Sequence, residues 1–212
     1  MVYRLEENDI WFPDPALADD DGLLAVGGDL SQERLLLAYS HGIFPWFSDD
    51  TPILWYSPHE RFVLFPEKVK VSSSMKQVIR SKRFKITWNQ NFEEVINACA
   101  DAERPGQPGT WITAEMRSSY IKLHQQGYAH SIEIWQDNNL AGGLYGVMIN
   151  RVFCGESMFS KQSNTSKLAL ITLCENKNIR MVDCQMHTLH LESMGAESIS
   201  REEYMRILAE EV

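Results

Sequence analysis

The sequence predicts an α+β fold, and three of its patterns support this. Residues 130–135, 140–149 and 152–159 read as three strands joined by short turns, which is typical of an antiparallel meander. A helical pattern at 164–176 and an apolar segment at 180–183 follow the meander. The first 62 residues differ in character, because they are rich in proline, aspartate, glycine and aromatic residues.

The N-terminal 62 residues contain one clear helix. It is predicted over residues 31–41, because Ser31 is a favourable N-terminal cap and Gly42 ends the pattern. Residues 22–30 before it predict a short apolar element that ends in a tight turn. The aromatic residues between prolines at 43–58 predict no regular element, but either a small core or a stacking surface.

Regular periodicity begins at residue 61. It predicts strands at 61–65 and 84–88, and helices at 73–81, 92–102 and 114–126. A loop at 104–109 joins the second and third of these helices. After the strand at 180–183, the final helix is opened by Ser200 and Glu203, which form a Ser-x-x-Glu capping box.

Composition places the chain among ordinary globular proteins, with 44% hydrophobic and 23% charged residues in a length of 212. No apolar run approaches the ~20 residues of a membrane helix, and the acidic N-terminus is unlike a signal peptide. We therefore expect a soluble, cytoplasmic protein with no membrane partner. The four scattered cysteines are interpreted as reduced thiols. His187 and His190 have no third ligand in view, so no metal site is predicted.

Charge is distributed unevenly along the chain. The net charge is -9, which alone argues against a nucleic-acid partner. Residues 67–88, however, contain seven lysines and arginines against Glu67 alone. Such a local excess can bind phosphates, although a solvated helix face balanced by the acidic N-terminal region explains it equally well.

Two acidic residues lie in or beside apolar segments that are predicted to be buried strands. Glu156 is part of FCGESMFS at 153–160, and Asp183 ends the segment at 179–183. A buried carboxylate loses its hydration and requires hydrogen bonds, a cation or a function. The two acids therefore indicate a site, and an ordinary buried ion pair or a capped carboxylate is the alternative.

A meander followed by a helix and a polar strand is the layout of an acyltransferase core of the GNAT type. A coenzyme A user of this fold needs a glycine-containing turn before that helix, so that backbone N–H groups can hold the pyrophosphate. Residues 160–167, SKQSNTSK, contain no glycine. We therefore expect no cofactor and an acyl carrier other than coenzyme A.

Eight motifs, in order along almost the whole chain, resemble the leucyl/phenylalanyl-tRNA-protein transferase family. They are GGDLS at 27–31, GIFPWF at 42–47, GTWIT at 109–113, HSIE at 130–133, GGLYG at 142–146, FCGESMFS at 153–160, DCQ at 183–185 and HLESMGA at 190–196. The resemblance implies a small N-terminal α+β domain at 1–62. A GNAT-like catalytic domain at 63–212 would follow, with a central mixed, largely antiparallel sheet flanked by helices.

The resemblance also implies an activity. This bacterial family of aminoacyltransferases moves Leu or Phe from aminoacyl-tRNA to the α-amino group of proteins that begin with Arg or Lys, and so marks them for degradation. Leu-tRNA, Phe-tRNA and such proteins are the implied partners. Nothing in the sequence requires more than a monomer.

Three residues are the catalytic candidates. An aminoacyl ester is already activated, so the enzyme must mainly position the amine and remove its proton. Asp183 is our first choice for orienting the amine or accepting that proton. Gln185, two residues further along the strand, is predicted to hold the amine or the developing oxyanion. Glu156 either orients the site or, with Asp183, binds the cationic side chain of the acceptor; the division of roles stays open.

The substrate contacts are assigned from the same resemblance. An apolar pocket for the donor side chain is predicted from Leu144, Phe153, Met158 and Leu173. The alternative is that these four residues only fill the core. Stacking of the 3′ adenosine is assigned to Trp46 and Trp111. Contacts with tRNA phosphates are assigned to Lys76, Arg80, Lys82 and Arg83.

Two other functions remain in competition. One is a coenzyme A-dependent N-acetyltransferase, against which the missing glycine turn argues. The other is a non-catalytic protein that binds aminoacyl-tRNA, for which the paired acids Glu156 and Asp183 would have no explanation.

Overall fold

The computed structural model describes residues 2–102 and 110–210. The loop predicted at 104–109, and with it Gly109 of the GTWIT motif, lies outside the described residues.

A four-stranded sheet forms within the first 60 residues. Its strands are β1 (Tyr3–Leu5), β2 (Leu23–Gly27), β3 (Phe44–Pro45) and β4 (Leu54–Tyr56), in the order β1-β2-β4-β3. The prediction of no regular element at 43–58 is therefore wrong. Strands of two or three residues are too short to show an alternating pattern, so only their pairing reveals them.

The predicted N-terminal helix is confirmed as α1 (Gln32–Ser40). The Ser31 side chain accepts a hydrogen bond from the backbone N–H of Arg34 at 3.3 Å, as expected of an N-terminal cap. The helix is followed by Gly42, whose φ of +68° lies in the left-handed region. A Cβ atom there would lie 2.7 Å from the Sδ of Met205, so only glycine fits without displacement.

The larger sheet has seven strands in the order β11-β5-β10-β9-β8-β7-β6. Only β9 and β10 run parallel, so the sheet is mixed and largely antiparallel, and the predicted α+β fold class is confirmed. The strands are β5 (Glu60–Leu64), β6 (Lys85–Trp88), β7 (Ala129–Gln136), β8 (Asn139–Ile149), β9 (Val152–Ser160), β10 (Met181–Gln185) and β11 (Glu197–Ser200).

Helices cover both faces of this sheet. One apolar layer includes α3 and α4 and continues into the N-terminal sheet, and the other includes α2 and α5. The predicted layout of meander, helix and strand is present as β7-β8-β9, α5 and β10. The helices are α2 (Ser73–Ser81), α3 (Phe92–Ala100), α4 (Ala114–Gln125), α5 (Thr165–Cys174), α6 (Leu189–Ser193) and α7 (Arg201–Leu208).

The predicted division after residue 62 falls inside β5. Residues on both sides of it belong to one continuous apolar core, which runs from Leu5 to Leu208. The division into two domains stays a prediction. Among the described helices, none is long and apolar enough to cross a membrane.

Candidate active site

A cavity of about 1020 Å³ lies at the end of the parallel strand pair. It is lined by residues of β9, β10, α5 and α6, and by the segment around Trp46, the end of α3 and Trp111. Because β9 and β10 are parallel, their carboxyl ends meet at the same edge of the sheet, and Glu156 and Gln185 both line the cavity there.

Asp183 lies on β10 with no exposed surface, and its carboxylate is fully engaged. Arg61 Nε lies 3.0 Å from Oδ1 and 3.1 Å from Oδ2, and its Nη2 lies 2.8 Å from Oδ2. The Tyr204 hydroxyl donates to Oδ2 at 3.0 Å, and the Gln185 backbone N–H donates to Oδ1 at 2.8 Å. The buried ion pair that the sequence left open as an alternative is thus present at Asp183.

Gln185 connects the two acids. Its backbone N–H binds Asp183, and its side-chain Nε2 donates to Glu156 Oε1 at 3.0 Å. The φ of Gln185 is +61°, an unusual value for a residue other than glycine, and the pairing of β10 with β5 shifts register between Asp183 and Gln185. The hydrogen bond to Asp183 therefore holds Gln185 in a strained conformation that directs its amide to Glu156.

Glu156 is surrounded by donors. The Tyr39 hydroxyl donates to Oε1 at 2.7 Å, and the Tyr120 hydroxyl donates to Oε2 at 3.2 Å. Burial raises the pKa of Glu156 to about 7, although the hydrogen bonds from the two tyrosines partly oppose the rise. Unlike Asp183, Glu156 has no guanidinium partner among the residues that the structure describes, so its carboxyl can change protonation state near neutral pH.

Sequence reasoning missed four residues of this site: Arg61, Tyr204, Tyr39 and Tyr120. An arginine at the start of an apolar predicted strand was the one available signal for a buried partner of an acid. The tyrosines carry no comparable signal, because each lies on a helix at a position typical of the core.

All four residues predicted for the donor pocket line the cavity. Leu144, Phe153 and Leu173 are at most 3% exposed, and Met158 is half-buried. Leu170, Val182 and Leu191 also line the cavity, and the sequence did not single them out. Because all these residues also belong to or contact the apolar core, lining the cavity does not by itself assign them to a substrate.

The two predicted stacking residues, Trp46 and Trp111, line the same cavity. Trp46 is 41% exposed, which is high for so large an apolar side chain. Asp101, at the end of α3, is exposed and also lines the cavity.

The basic residues predicted for phosphate contacts lie apart from the cavity. Lys76 and Arg80 lie on α2, Lys82 ends it in a left-handed conformation, and Arg83 stacks on Phe84. All four cations are exposed. We call these four cations the basic surface. Helix α2 packs against α5, and the first turn of α5 lines the cavity together with Lys161. The basic surface and the cavity therefore lie on neighbouring elements.

No group of three side chains suited to a metal occurs within residues 2–102 and 110–210. His187 instead pairs with Glu192 at 3.0 Å. None of the four cysteines, all of them described, forms a disulfide.

Comparison with known proteins identifies the family. The profile described as leucyl/phenylalanyl-tRNA protein transferase matches residues 63–209, and that of its N-terminal domain matches residues 28–59. The leucyl/phenylalanyl-tRNA-protein transferase of Flavobacterium johnsoniae is 52% identical over 94% of this chain and 96% of its own. The protein of the same name from Psychromonas ingrahamii is 54% identical over 98% of this chain and 89% of its own. This chain therefore belongs to the leucyl/phenylalanyl-tRNA-protein transferase family of aminoacyltransferases.

Proposed function

We propose that this aminoacyltransferase moves Leu or Phe from aminoacyl-tRNA to the α-amino group of proteins that begin with Arg or Lys. The transfer of an amino acid from tRNA to a protein follows from membership of the family. The choice of donors and acceptors, the marking of the products for degradation and the cytoplasmic location are part of the proposal. Four cysteines without a disulfide among them are consistent with a reducing compartment.

One observation carries the assignment of the reacting centre: Gln185 binds both acids at the edge of a cavity that has an apolar wall and two tryptophans. The apolar wall suits the Leu or Phe side chain, and the tryptophans suit the terminal adenosine. The ester carbonyl would then lie between them, beside Gln185 and Glu156.

The reaction needs positioning more than nucleophilic assistance. Holding the amine and the ester carbonyl in attack geometry supplies about 7 to 11 kcal/mol, and removal of a proton from the amine adds to it. We assign contact with the amine to Gln185 and Glu156. Asp183, whose oxygens are occupied by Arg61, Tyr204 and Gln185, acts in this proposal as an orienting group and not as the base.

The acceptor also carries a cationic side chain. Glu156 and Asp183 are the predicted anchors, but Arg61 already offsets the charge of Asp183. The exposed carboxylate of Asp101 lies on the same cavity, so we add it as the anchor for the guanidinium or ammonium of the first residue.

The tRNA acceptor stem would run from the cavity across α5 to α2. Exposed cations at Lys76, Arg80, Lys82 and Arg83 supply contacts with phosphates, which require no base-specific geometry. This explains how an acidic protein binds a polyanion.

The function is tested by incubating the protein with Leu-tRNA, Phe-tRNA or Ile-tRNA, each with peptides that begin with Arg or with Ala. Transfer from the first two donors to the Arg peptide alone is expected. Acetyl-coenzyme A serves as the competing donor, and its use would favour an acetyltransferase. Binding of aminoacyl-tRNA without any transfer would contradict the proposal and favour a non-catalytic binding protein.

Gln185→Leu provides the matched variant, because leucine is close to glutamine in size but cannot hydrogen-bond. We expect the transfer rate to fall while aminoacyl-tRNA still binds. An unchanged rate would remove Gln185 from the reacting centre.

A further inference from the structure

Three side chains from three elements form a closed set of hydrogen bonds. Tyr39 comes from α1, Tyr120 from α4 and Glu156 from β9. The Tyr39 hydroxyl lies 2.7 Å from Glu156 Oε1, the Tyr120 hydroxyl lies 3.2 Å from Oε2, and the two hydroxyl oxygens are in hydrogen-bond contact with each other. Both tyrosines are at most 1% exposed, so water does not complete the set.

The number of protons in this set depends on Glu156. Each of the three contacts needs one proton between its two oxygens. When Glu156 is ionised, the two hydroxyls supply only two protons, so one contact joins two oxygens without a proton. When Glu156 is protonated, its own proton completes the third bond.

We propose that Tyr39, Tyr120 and Glu156 form a proton-accepting site, which takes the proton that the acceptor's α-ammonium group must lose before it attacks the ester. This inference rests on the proposed function. Glu156 is the catalytic residue of the site, and the two tyrosines are positioning residues behind it.

Geometry determines how the proton enters. Of the three residues, Glu156 lines the cavity, whereas neither tyrosine does within the described residues. Oε1 already accepts from both Tyr39 and Gln185, whereas among residues 2–102 and 110–210 Oε2 accepts only the longer bond from Tyr120. The proton of the ammonium group therefore binds the remaining lone pair of Oε2, and rotation of the new O–H bond turns it toward Tyr120, which then donates to Tyr39 and completes the third bond.

The proton balance of the reaction is complete. The α-ammonium group begins with three protons. The first passes to Glu156, and the freed amine then forms the C–N bond with the ester carbonyl. The second passes to the ribose oxygen as the C–O bond breaks, and the third remains on the new amide. Glu156 releases its proton to solvent before the next turnover.

The surroundings of Glu156 are consistent with this role. Burial raises its pKa to about 7, close to the free pKa of an α-amino group of about 8, so proton transfer is nearly balanced. Burial, and then the charge of Glu156, raise the pKa of Tyr39 and Tyr120, so both hydroxyls stay protonated. Within the described part of the chain, the other titratable groups near the set are Tyr145 on β8, Cys154 on β9 and the Asp183–Arg61 pair on β10 and β5.

Tyr39→Phe and Tyr120→Phe test the proposal through the pH dependence of single-turnover transfer. Each substitution removes a donor that stabilises the carboxylate, so the pKa of Glu156 rises and the acidic limb of the rate profile moves to higher pH. A rise of one unit lowers the rate on that limb about tenfold and leaves the rate at high pH much less affected. The exposed Tyr128→Phe is the control and should leave the profile unchanged.

A second measurement needs no transfer at all. The infrared carbonyl stretch of a protonated carboxyl should appear as the pH falls through about 7, shift in Tyr39→Phe and vanish in Glu156→Gln. Normal transfer by the wild type together with an unmoved profile in both tyrosine variants overturns the proton-accepting site and leaves the proposed function standing. Absence of transfer by the wild type overturns the proposed function, while the infrared titration still decides whether the three residues hold a proton.

Discussion

The guanidinium of Arg61 contacts both carboxylate oxygens of Asp183, with nitrogen–oxygen distances of 2.8 to 3.1 Å. The pair joins β5 to β10, and neither side chain is more than 2% exposed. Asp183 in turn accepts a hydrogen bond from the backbone N–H of Gln185, so the ion pair helps to hold Gln185 in place.

Replacing Arg61 with methionine should destabilise the protein by roughly 3 to 5 kcal/mol, because it leaves a buried carboxylate without a cation. Urea denaturation measures the change. The double variant Arg61→Met/Asp183→Leu removes both charges and should recover much of the loss. Equal stability of Arg61→Met and the wild type would contradict a structural role for the pair.

Glu156 should make stability depend on pH in an unusual direction. Its folded pKa of about 7 lies above the ordinary value of 4.5, so the folded state binds more protons than the unfolded state between these values. The unfolding free energy therefore falls as pH rises through this window, by about 3 kcal/mol in total. The side chain in Glu156→Gln does not titrate, so the unfolding free energy of this variant should increase relative to that of the wild type from pH 4.5 to 7. If the unfolding free energies of the two proteins changed with pH in parallel, the raised pKa of Glu156 would be refuted.

Enlarging the donor pocket should favour the larger amino acid. Leu173→Ala removes a fully buried side chain that lines the cavity, and should raise the ratio of kcat/KM for Phe over Leu by about tenfold. The expected loss of stability is about 2 to 5 kcal/mol. Leu208→Ala, buried in α7 away from the cavity lining, controls for stability and should leave the ratio unchanged.

Removing either tryptophan of the cavity should weaken tRNA binding. Trp46→Ala and Trp111→Ala should each cost about 1 to 3 kcal/mol of affinity for a non-hydrolysable Phe-tRNA analogue. The effect should disappear with tRNA that lacks its terminal adenosine. Trp11→Ala matches Trp46→Ala in exposure but lies outside the cavity lining, and serves as the control.

The basic surface should determine the salt dependence of binding. Lys76→Ala and Arg80→Ala should each reduce the slope of log affinity against log salt concentration by about 1. Each should also weaken the binding of all tRNAs to the same extent. Lys122→Ala, exposed on α4, is the control. Unchanged slopes in all three variants would identify the surface as a solvated helix face.

Local signals in the sequence predicted the main elements well. Ser31 and Ser200 begin helices as expected, and the three segments joined by short turns at 130–159 predicted β7, β8 and β9. The signals failed for β3 and β4, because pairing between distant short segments leaves no local pattern.

The sequence allowed us to predict the two acidic residues of the candidate site, but not the residues that bind them. Glu156 and Asp183 stood out because a carboxylate in an apolar strand is unusual. Arg61 lies 122 residues from Asp183, and Tyr39 lies 117 residues from Glu156, so only the fold brings these groups together. The regular alternation that linked Asp183 to Gln185 does not apply, because the strand pairing shifts between them.

The position of Tyr39 on α1 has a consequence for exchanging parts between relatives. The N-terminal segment supplies one of the two tyrosine hydroxyls that hydrogen-bond to the Glu156 carboxyl group, and it also supplies Trp46 to the cavity. A chimera that joins residues 1–60 of one relative to the remainder of another must therefore align α1 with α4 closely enough for two hydroxyls to meet. Compatibility of the two segments in such hybrids would depend on this single contact more than on the general match of their apolar surfaces.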